Sequence, residues 1–202
     1  MSKFETRSFF CCPFRYNRRM ATVTFEPLTL EQYAAQADRA FSELVQGRVV
    51  PVNPPTPRHG QICVRVVLLV GAHVQSRDLG HLVANDAGVI TARDPDSVRG
   101  ADVAYYSYQQ VPRGPLPTGY LKVSPDLLFE ILSPNDRRAA LLTKVGEYLA
   151  AGLRAVCVLD DSTRTIEVFR PEGPTELFAA EDEFAVSDVL SEFRVAVLAF
   201  FE

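Results

Sequence analysis

Apolar residues recur along this chain with two different periods, and the period predicts where helices and strands lie. Ile62, Val66, Leu69, Val70 and His73 recur at helical spacing and predict a packing helix. Runs rich in β-branched and aromatic residues predict strands at about 81–92, 101–108, 126–132, 154–159 and 164–170, with a helix at about 137–151 before Gly152. This order predicts an α/β or mixed α+β fold in which helices flank a central mixed sheet.

The segment before the first long helix contains two shorter signals. Thr29 is positioned to cap a short helix, and the stretch from Glu43 to Val50 predicts a hairpin that turns near Gly47. The four prolines between 51 and 57 predict a stiff connector.

One carboxylate interrupts the apolar run at 126–132. In a strand, Leu127, Phe129 and Ile131 share one face while Leu128 and Glu130 share the other. Both faces are mostly apolar, which is typical of a central strand covered on two sides. We therefore expect Glu130 to be buried in the wall of a site; a structural ion pair with an arginine is the alternative.

A lysine follows on the inward stripe of the next predicted helix. Leu141, Lys144, Val145, Tyr148 and Leu149 share one helical face. The functional interpretation places the Lys144 ammonium beside Glu130, whereas the alternative is a stem that extends to solvent.

A third charged group, Asp102, opens another apolar strand. It could simply form local hydrogen bonds where the strand begins. Beside Glu130 on a neighbouring strand, it would create a site of carboxylate oxygens, which Mg²⁺ and Mn²⁺ prefer.

The composition argues against a membrane span, a disulfide-stabilised fold and a zinc site. The chain has 202 residues, 47% of them hydrophobic and 23% charged, with a net charge of −4, and no apolar run approaches the ~18 residues of a membrane span. The four cysteines form no CxxC pair and no cluster with histidine, so we expect neither disulfides nor a zinc site, and a cytoplasmic location. We expect residues 1–24 to be a disordered tail or an over-called translation start, and residues 25–202 to form one domain.

Several short motifs together resemble one family. They are Glu43-Leu44-Val45-x-Gly47, Pro57-Arg58-His59, Ala101-Asp102-Val103, Glu130-Ile131-Leu132-Ser133-Pro134 and Lys144-x-x-x-Tyr148-x-x-Ala151-Gly152. Their order is similar to that in the Uma-two (Uma2) family of bacterial restriction-endonuclease-like proteins, within the PD-(D/E)XK nuclease superfamily. The resemblance covers roughly residues 28–200.

The resemblance implies a metal-dependent DNA endonuclease with a restriction-endonuclease-like core. It implies that Asp102, Glu130 and the backbone carbonyl of Ile131 bind Mg²⁺ or Mn²⁺, that Lys144 replaces the usual motif lysine, and that Glu43 is a further catalytic acid. Leu132 occupies the usual lysine position.

DNA is the expected partner, and a homodimer would suit cleavage of both strands. Candidates for phosphate contacts are Arg58, His59, Arg113, Lys122, Arg137 and Arg138.

The chain also departs from the family pattern. Ala101, Ala140 and Ala155-Val156-Cys157 stand where the family usually has proline, aspartate and Glu-Tyr-Trp. One alternative is therefore a non-catalytic DNA-binding or interaction module on the same fold, in which the acids form structural ion pairs. Another is a structure-selective resolvase or repair nuclease with the same chemistry.

Overall fold

The computed structural model describes residues 26–36, 41–133 and 137–202. The expected N-terminal tail at 1–24 and Pro134 of the Ser-Pro motif lie outside the described residues.

Fourteen elements follow one another along the described chain, in agreement with the predicted α/β class. They are α1 (Leu30–Ala34), β1 (Ser42–Val45), β2 (Arg48–Pro51), α2 (Pro57–Ser76), β3 (Gly80–Ala92), β4 (Ser97–Ser107), β5 (Leu127–Leu132), α3 (Arg138–Ala150), β6 (Ala155–Asp160), β7 (Thr165–Phe169), β8 (Glu176–Phe178), β9 (Glu183–Ala185), β10 (Arg194–Ala196) and a 3₁₀ turn (Val197–Phe200).

Eight strands form one mixed sheet. Its main path runs β2-β1-β4-β5-β6-β7-β8, and β3 pairs with β4 in addition. The β5–β6 pair is parallel and is connected through α3, whereas the other pairs are antiparallel. A crossover helix between neighbouring parallel strands is the usual solution, since two parallel strands cannot be joined by a tight turn.

The two faces of β5 pack against different helices, as its sequence predicts. Leu127 and Phe129 belong to the core that contains the buried face of α2, and Leu128 belongs to the core that contains α3. Glu130 is only 5% exposed, so the carboxylate that interrupts the apolar run is buried.

The long strand β4 has an opening along one edge. Strand β3 pairs with β4 from Ser97 to Ser107, so the remaining partners β1 and β5 must share the other edge of β4. Strand β1 pairs with β4 at Val98, and β5 pairs with it from Val103 onward. The four positions from 99 to 102 therefore have no strand partner on that edge within the described chain.

The predicted hairpin is confirmed and depends on a glycine. Gln46 and Gly47 connect β1 to β2 with φ angles of 49° and 72°. A Cβ atom on Gly47 would lie 2.2 Å from the Cβ of Pro27. The position therefore requires glycine for both its backbone angle and its close contact.

Residues after 170 were given no secondary structure by the sequence, yet they form β8, β9, β10 and the final 3₁₀ turn. Each of these strands has three residues. A three-residue strand is too short to display an alternating pattern, and its position is set by contacts with distant parts of the chain.

Phe184 on β9 anchors this C-terminal segment to the core. Its ring makes edge-to-face contacts with Phe129, Phe178, Phe193 and Phe200, with centroids 5.3 to 6.3 Å apart. The residue is fully buried.

We predict that Phe184→Ala lowers the free energy of unfolding by about 3–5 kcal/mol, because it leaves a cavity among four aromatic rings. Leu177→Ala is the matched control, since Leu177 is 62% exposed, and its effect should stay within about 0.5 kcal/mol. Urea unfolding followed by circular dichroism measures both variants. Equal losses in the two would show that Phe184 does not anchor the segment.

Candidate functional site

A cleft of about 830 Å³ opens where β1 and β5 separate along β4. Six elements contribute charged side chains to its walls: Glu43 from β1, His59 from α2, Asp86 from β3, Arg99 and Asp102 from β4, Glu130 from β5, and Lys144 from α3, while Arg137 lies just before that helix. The structure thus brings Asp102, Glu130, Lys144 and Glu43, the four residues that the sequence analysis names as catalytic candidates, into one cleft.

Side chains satisfy the backbone of β4 where it lacks a strand partner. The Gly100 amide donates to Glu43 Oε1 at 3.0 Å, and the Tyr148 hydroxyl lies 3.0 Å from the Gly100 carbonyl oxygen. From the opposite strand, the Ile131 amide donates to Asp102 Oδ2 at 2.7 Å. Since a buried amide without a partner would be costly, these hydrogen bonds hold the acids in place.

Glu130 lies between a cation and a phenol. Lys144 Nζ donates to its Oε2 at 2.9 Å, and the Tyr148 hydroxyl lies 3.1 Å from its Oε1. Burial raises the pKa of Glu130 to about 7; Lys144 opposes this rise and the charge of Asp102 adds to it. The buried carboxylate thus lies beside a second acid and can change its protonation state near neutral pH.

Lys144 is held inside the cleft. Its side chain is 19% exposed, and its Nζ lies 3.4 Å from Glu43 Oε1 as well as 2.9 Å from Glu130. Burial opposes the charge, but Glu130 and Glu43 outweigh it and hold the pKa of Lys144 above its usual value. The Lys144 side chain therefore does not extend to solvent, which was the alternative interpretation.

Glu43 belongs to a network of ion pairs at the base of the cleft. Arg99 Nη1 donates to Glu43 Oε2 at 2.8 Å, while its Nε and Nη2 donate to the two oxygens of Glu147 at 2.6 and 2.8 Å. Burial opposes the guanidinium charge, but these carboxylates raise the pKa of Arg99. Glu43 is 8% exposed and is therefore a buried member of this network.

Asp102 pairs with a histidine that the sequence assigned only to phosphate contacts. His59 Nε2 lies 3.2 Å from Asp102 Oδ2, and Cys63 Sγ lies 3.5 Å from His59 Nδ1. The hydrogen bond to Asp102 and then that to Cys63 raise the pKa of His59 to about 10, against the effect of burial. His59 is therefore protonated at neutral pH and forms an ion pair with Asp102.

A fourth carboxylate, Asp86, lines the cleft because of a bulge in β3. Ala84 pairs with Val103 and Ala87 with Ala101, so the two residues Asn85 and Asp86 lie opposite Asp102. Desolvation raises the pKa of Asp86, and the charge of Asp102 adds to this effect. Bulges often redirect a side chain beside a functional site. The polar pair Asn85-Asp86 inside an apolar strand was the available sequence signal.

The six candidates for phosphate contacts do not lie together. His59 and Arg137 line the cleft. Arg58 donates to Asp161 and Arg138 to Glu167. Arg113 pairs with Asp78, just beyond the C-terminal end of the 20-residue α2 and about 30 Å from the end that carries His59. Lys122 is exposed and does not line the cleft.

The donors fit a divalent cation that prefers oxygen. Asp102, Glu130, Glu43 and Asp86 all line the same cleft, and the charge of Asp102 raises the Glu130 pKa, a repulsion that a bound cation would relieve. Ile131, whose carbonyl was predicted as a further ligand, also lines the cleft. Carboxylates and carbonyls are the ligands that Mg²⁺ and Mn²⁺ use in proteins.

The expectation that the chain has no cluster of histidine with cysteine was wrong. One donor atom from each of His59, Cys63 and Asp102 lies within 4.8 Å of the others. The two residues on α2 are four positions apart, and this spacing places them on one face of a helix. The sequence signal for this cluster is therefore the four-residue spacing of His59 and Cys63, which the CxxC pattern does not include.

Comparison with known structures identifies the class of fold. A crystal structure described as a "putative nuclease belonging to DUF820" from Anabaena variabilis ATCC 29413 matches with a TM-score of 0.76. The two chains are 21% identical, and the match covers 87% of this chain and 98% of the other. At this identity the likeness establishes a shared fold.

The family follows from a separate comparison. The profile of the Uma2 family, described as "Putative restriction endonuclease", matches residues 28–198. The chain belongs to this family, which confirms the resemblance found in its motifs. No curated protein matches the chain. Among the described residues, no helix is long and apolar enough to cross a membrane.

We predict that Arg99→Met destabilises the protein by at least about 1.5–3 kcal/mol, because it removes charged hydrogen bonds to Glu43 and Glu147. Arg194→Met provides the control: Arg194 pairs with Glu183 and both side chains are more than half exposed, so the loss should stay below about 1 kcal/mol. Urea unfolding compares the two. If Arg99→Met is no worse than the control, the network does not support the cleft.

Proposed function

We propose that this protein is a metal-dependent endonuclease that hydrolyses phosphodiester bonds in DNA. The observation that carries the proposal is that Asp102, Glu130 and Lys144 line one cleft in a member of a family described as "Putative restriction endonuclease". Two acids and a lysine at one site supply the groups that such a reaction needs.

In this proposal, Asp102 and Glu130 hold Mg²⁺ or Mn²⁺ together with the carbonyl of Ile131. A divalent cation at this position supplies Lewis acidity, which polarises the scissile phosphate and lowers the pKa of a water. Tyr148 and the Ile131 amide support the two acids through their hydrogen bonds. Such supporting contacts hold ligands in a productive orientation.

Lys144 has a different role from the acids. Its ammonium lies at the wall of the cleft within 3.4 Å of Glu43 and 2.9 Å of Glu130. We assign it to orienting the attacking water and to offsetting the negative charge that develops on the phosphate. Glu43 keeps this lysine charged and in place, which gives Glu43 a supporting role.

His59 and Arg137 are the phosphate-contact candidates best placed for this function, because both line the cleft. A phosphate group at the cleft would meet a protonated His59 on one wall and the exposed Arg137 near the start of α3. Arg113 pairs with Asp78 at the far end of α2, so a DNA contact there would require a long binding surface.

A direct assay tests the proposal. Purified protein is incubated with supercoiled, linear and branched DNA in Mg²⁺, Mn²⁺ or EDTA, and we expect cleavage that requires the metal. Activity on branched DNA alone would identify a structure-selective nuclease.

One observation favours a second candidate, a non-catalytic DNA-binding or interaction module. Asp102, Glu130 and Glu43 each have a cationic partner within the described chain: His59, Lys144 and Arg99, respectively. The acids could therefore serve as structural ion pairs. A wild type that binds DNA but cuts none of the three forms would support this candidate over the endonuclease.

We predict that Mg²⁺ or Mn²⁺ raises the melting temperature of the wild type and that Glu130→Gln abolishes this response. A ligand that binds only the native state stabilises it by about 2.7 kcal/mol at 100 times its Kd. The variant should fold, because Lys144 retains Glu43 at 3.4 Å. Glu167→Gln removes a carboxylate outside the cleft lining and should keep the metal response. An unchanged shift in Glu130→Gln would place the metal elsewhere.

We further predict that Lys144→Ala loses most cleavage but keeps metal binding, whereas Asp102→Ala loses both. Removing one preorganised electrostatic contact typically slows a reaction by ~10²–10³. Plasmid nicking at saturating DNA measures the rate, and differential scanning fluorimetry measures metal binding. Arg194→Ala removes a cation outside the cleft lining that pairs with Glu183, and this variant should cut at nearly the wild-type rate. Equal rates for wild type and Lys144→Ala would contradict the assigned role.

A further inference from the structure

A second set of potential metal ligands lies beside the cleft, where the first turns of α2 face β4. His59 and Cys63 are one turn apart on this helix, and Asp102 faces them from β4. His59 Nε2 lies 3.2 Å from Asp102 Oδ2, and Cys63 Sγ lies 3.5 Å from His59 Nδ1. One donor atom from each residue lies within 4.8 Å of the others.

The chemistry of this set differs from that of the carboxylate site. Imidazole nitrogen and thiolate sulfur select zinc-type cations, whereas Mg²⁺ prefers oxygen alone. Around a tetrahedral zinc with Zn–N near 2.0 Å and Zn–S near 2.3 Å, neighbouring donors lie about 3.3–3.6 Å apart. The separations of 3.2 and 3.5 Å are close to these values. The two separations involve different ring nitrogens, so one ion would bind a single nitrogen of His59. The third donor would then move closer than the 4.8 Å within which all three donor atoms lie.

We propose that His59, Cys63 and Asp102 form a binding site for a zinc-type divalent cation. Two of the donors lie on a rigid element, since Thr56 caps α2 and Pro57 begins it. The third is fixed by the hydrogen bond from the Ile131 amide to Asp102. The cation replaces the hydrogen between His59 and Asp102, the Cys63 thiol releases its proton on coordination, and water from the cleft fills the fourth position.

This site shares one ligand with the proposed magnesium site. If the proposed function is correct, zinc bound through Asp102 removes that carboxylate from Mg²⁺ and inhibits cleavage. Zinc binding itself does not depend on nuclease activity, because His59 and Cys63 are not proposed magnesium ligands.

Cobalt and zinc titrations of the full-length protein test the site. Co²⁺ bound to a thiolate gives a charge-transfer absorption in the near ultraviolet, and Zn²⁺ should raise the melting temperature and displace the cobalt band. We expect both signals in the wild type. Cys63→Ser, Cys63→Ala and His59→Gln should each lose the band or weaken zinc affinity at least about tenfold, while circular dichroism in EDTA checks that each variant folds.

Two control variants distinguish this site from the N-terminal cysteines and from the proposed magnesium site. Cys11→Ser/Cys12→Ser removes the cysteines of the N-terminal segment and should keep the cobalt band. Glu130→Gln, which should abolish the magnesium response, should keep the zinc response, so the two proposals can fail independently. A wild type without the band would overturn the inference, as would a band that survives in folded Cys63→Ser or disappears in Cys11→Ser/Cys12→Ser.

Discussion

The candidate site depends on an opening in the pairing of β4. Strand β1 leaves its edge at Val98 and β5 joins it at Val103, so the backbone between them must find other hydrogen-bond partners. Glu43 and Tyr148 provide them at Gly100. The side chains that satisfy this backbone are therefore the same ones that surround the acids, which couples the integrity of the sheet to the geometry of the cleft.

Opposite charges alternate in the wall of the cleft, and their mutual attraction offsets the free-energy cost of removing each charged side chain from water. Lys144 lies between Glu130 and Glu43, and Arg99 continues the series from Glu43 to Glu147. A buried charge without a partner is strongly unfavourable, whereas a series of opposite charges allows several to be buried together. The same arrangement keeps Lys144 protonated, while burial, with a further contribution from the charge of Asp102, raises the pKa of Glu130 to about 7. Stability and the proposed chemistry thus use the same residues.

The C-terminal segment contains strands that the local sequence pattern does not predict. Strands β8, β9 and β10 have three residues each, and Phe184 is held by rings from β5, β8 and the end of the chain. Such strands form because distant surfaces bury them. Longer strands and helices carry their own periodicity, which explains why β3, β5, β6, β7 and α3 could be predicted with nearly correct bounds and α2 as a packing helix, whereas β4 begins at Ser97, before its predicted start at about 101.

The sequence by itself determined the long elements, the two buried faces of β5 and the inward positions of Glu130 and Lys144, because these follow from the periods of strand and helix. Only the tertiary structure decided that Asp86 reaches the cleft through a bulge, that Arg99 holds Glu43, and that His59 pairs with Asp102. These contacts join residues on separate elements, and their geometry is set by strand register and helix placement. No local period encodes such distances, so they emerge only when the sheet and helices pack together.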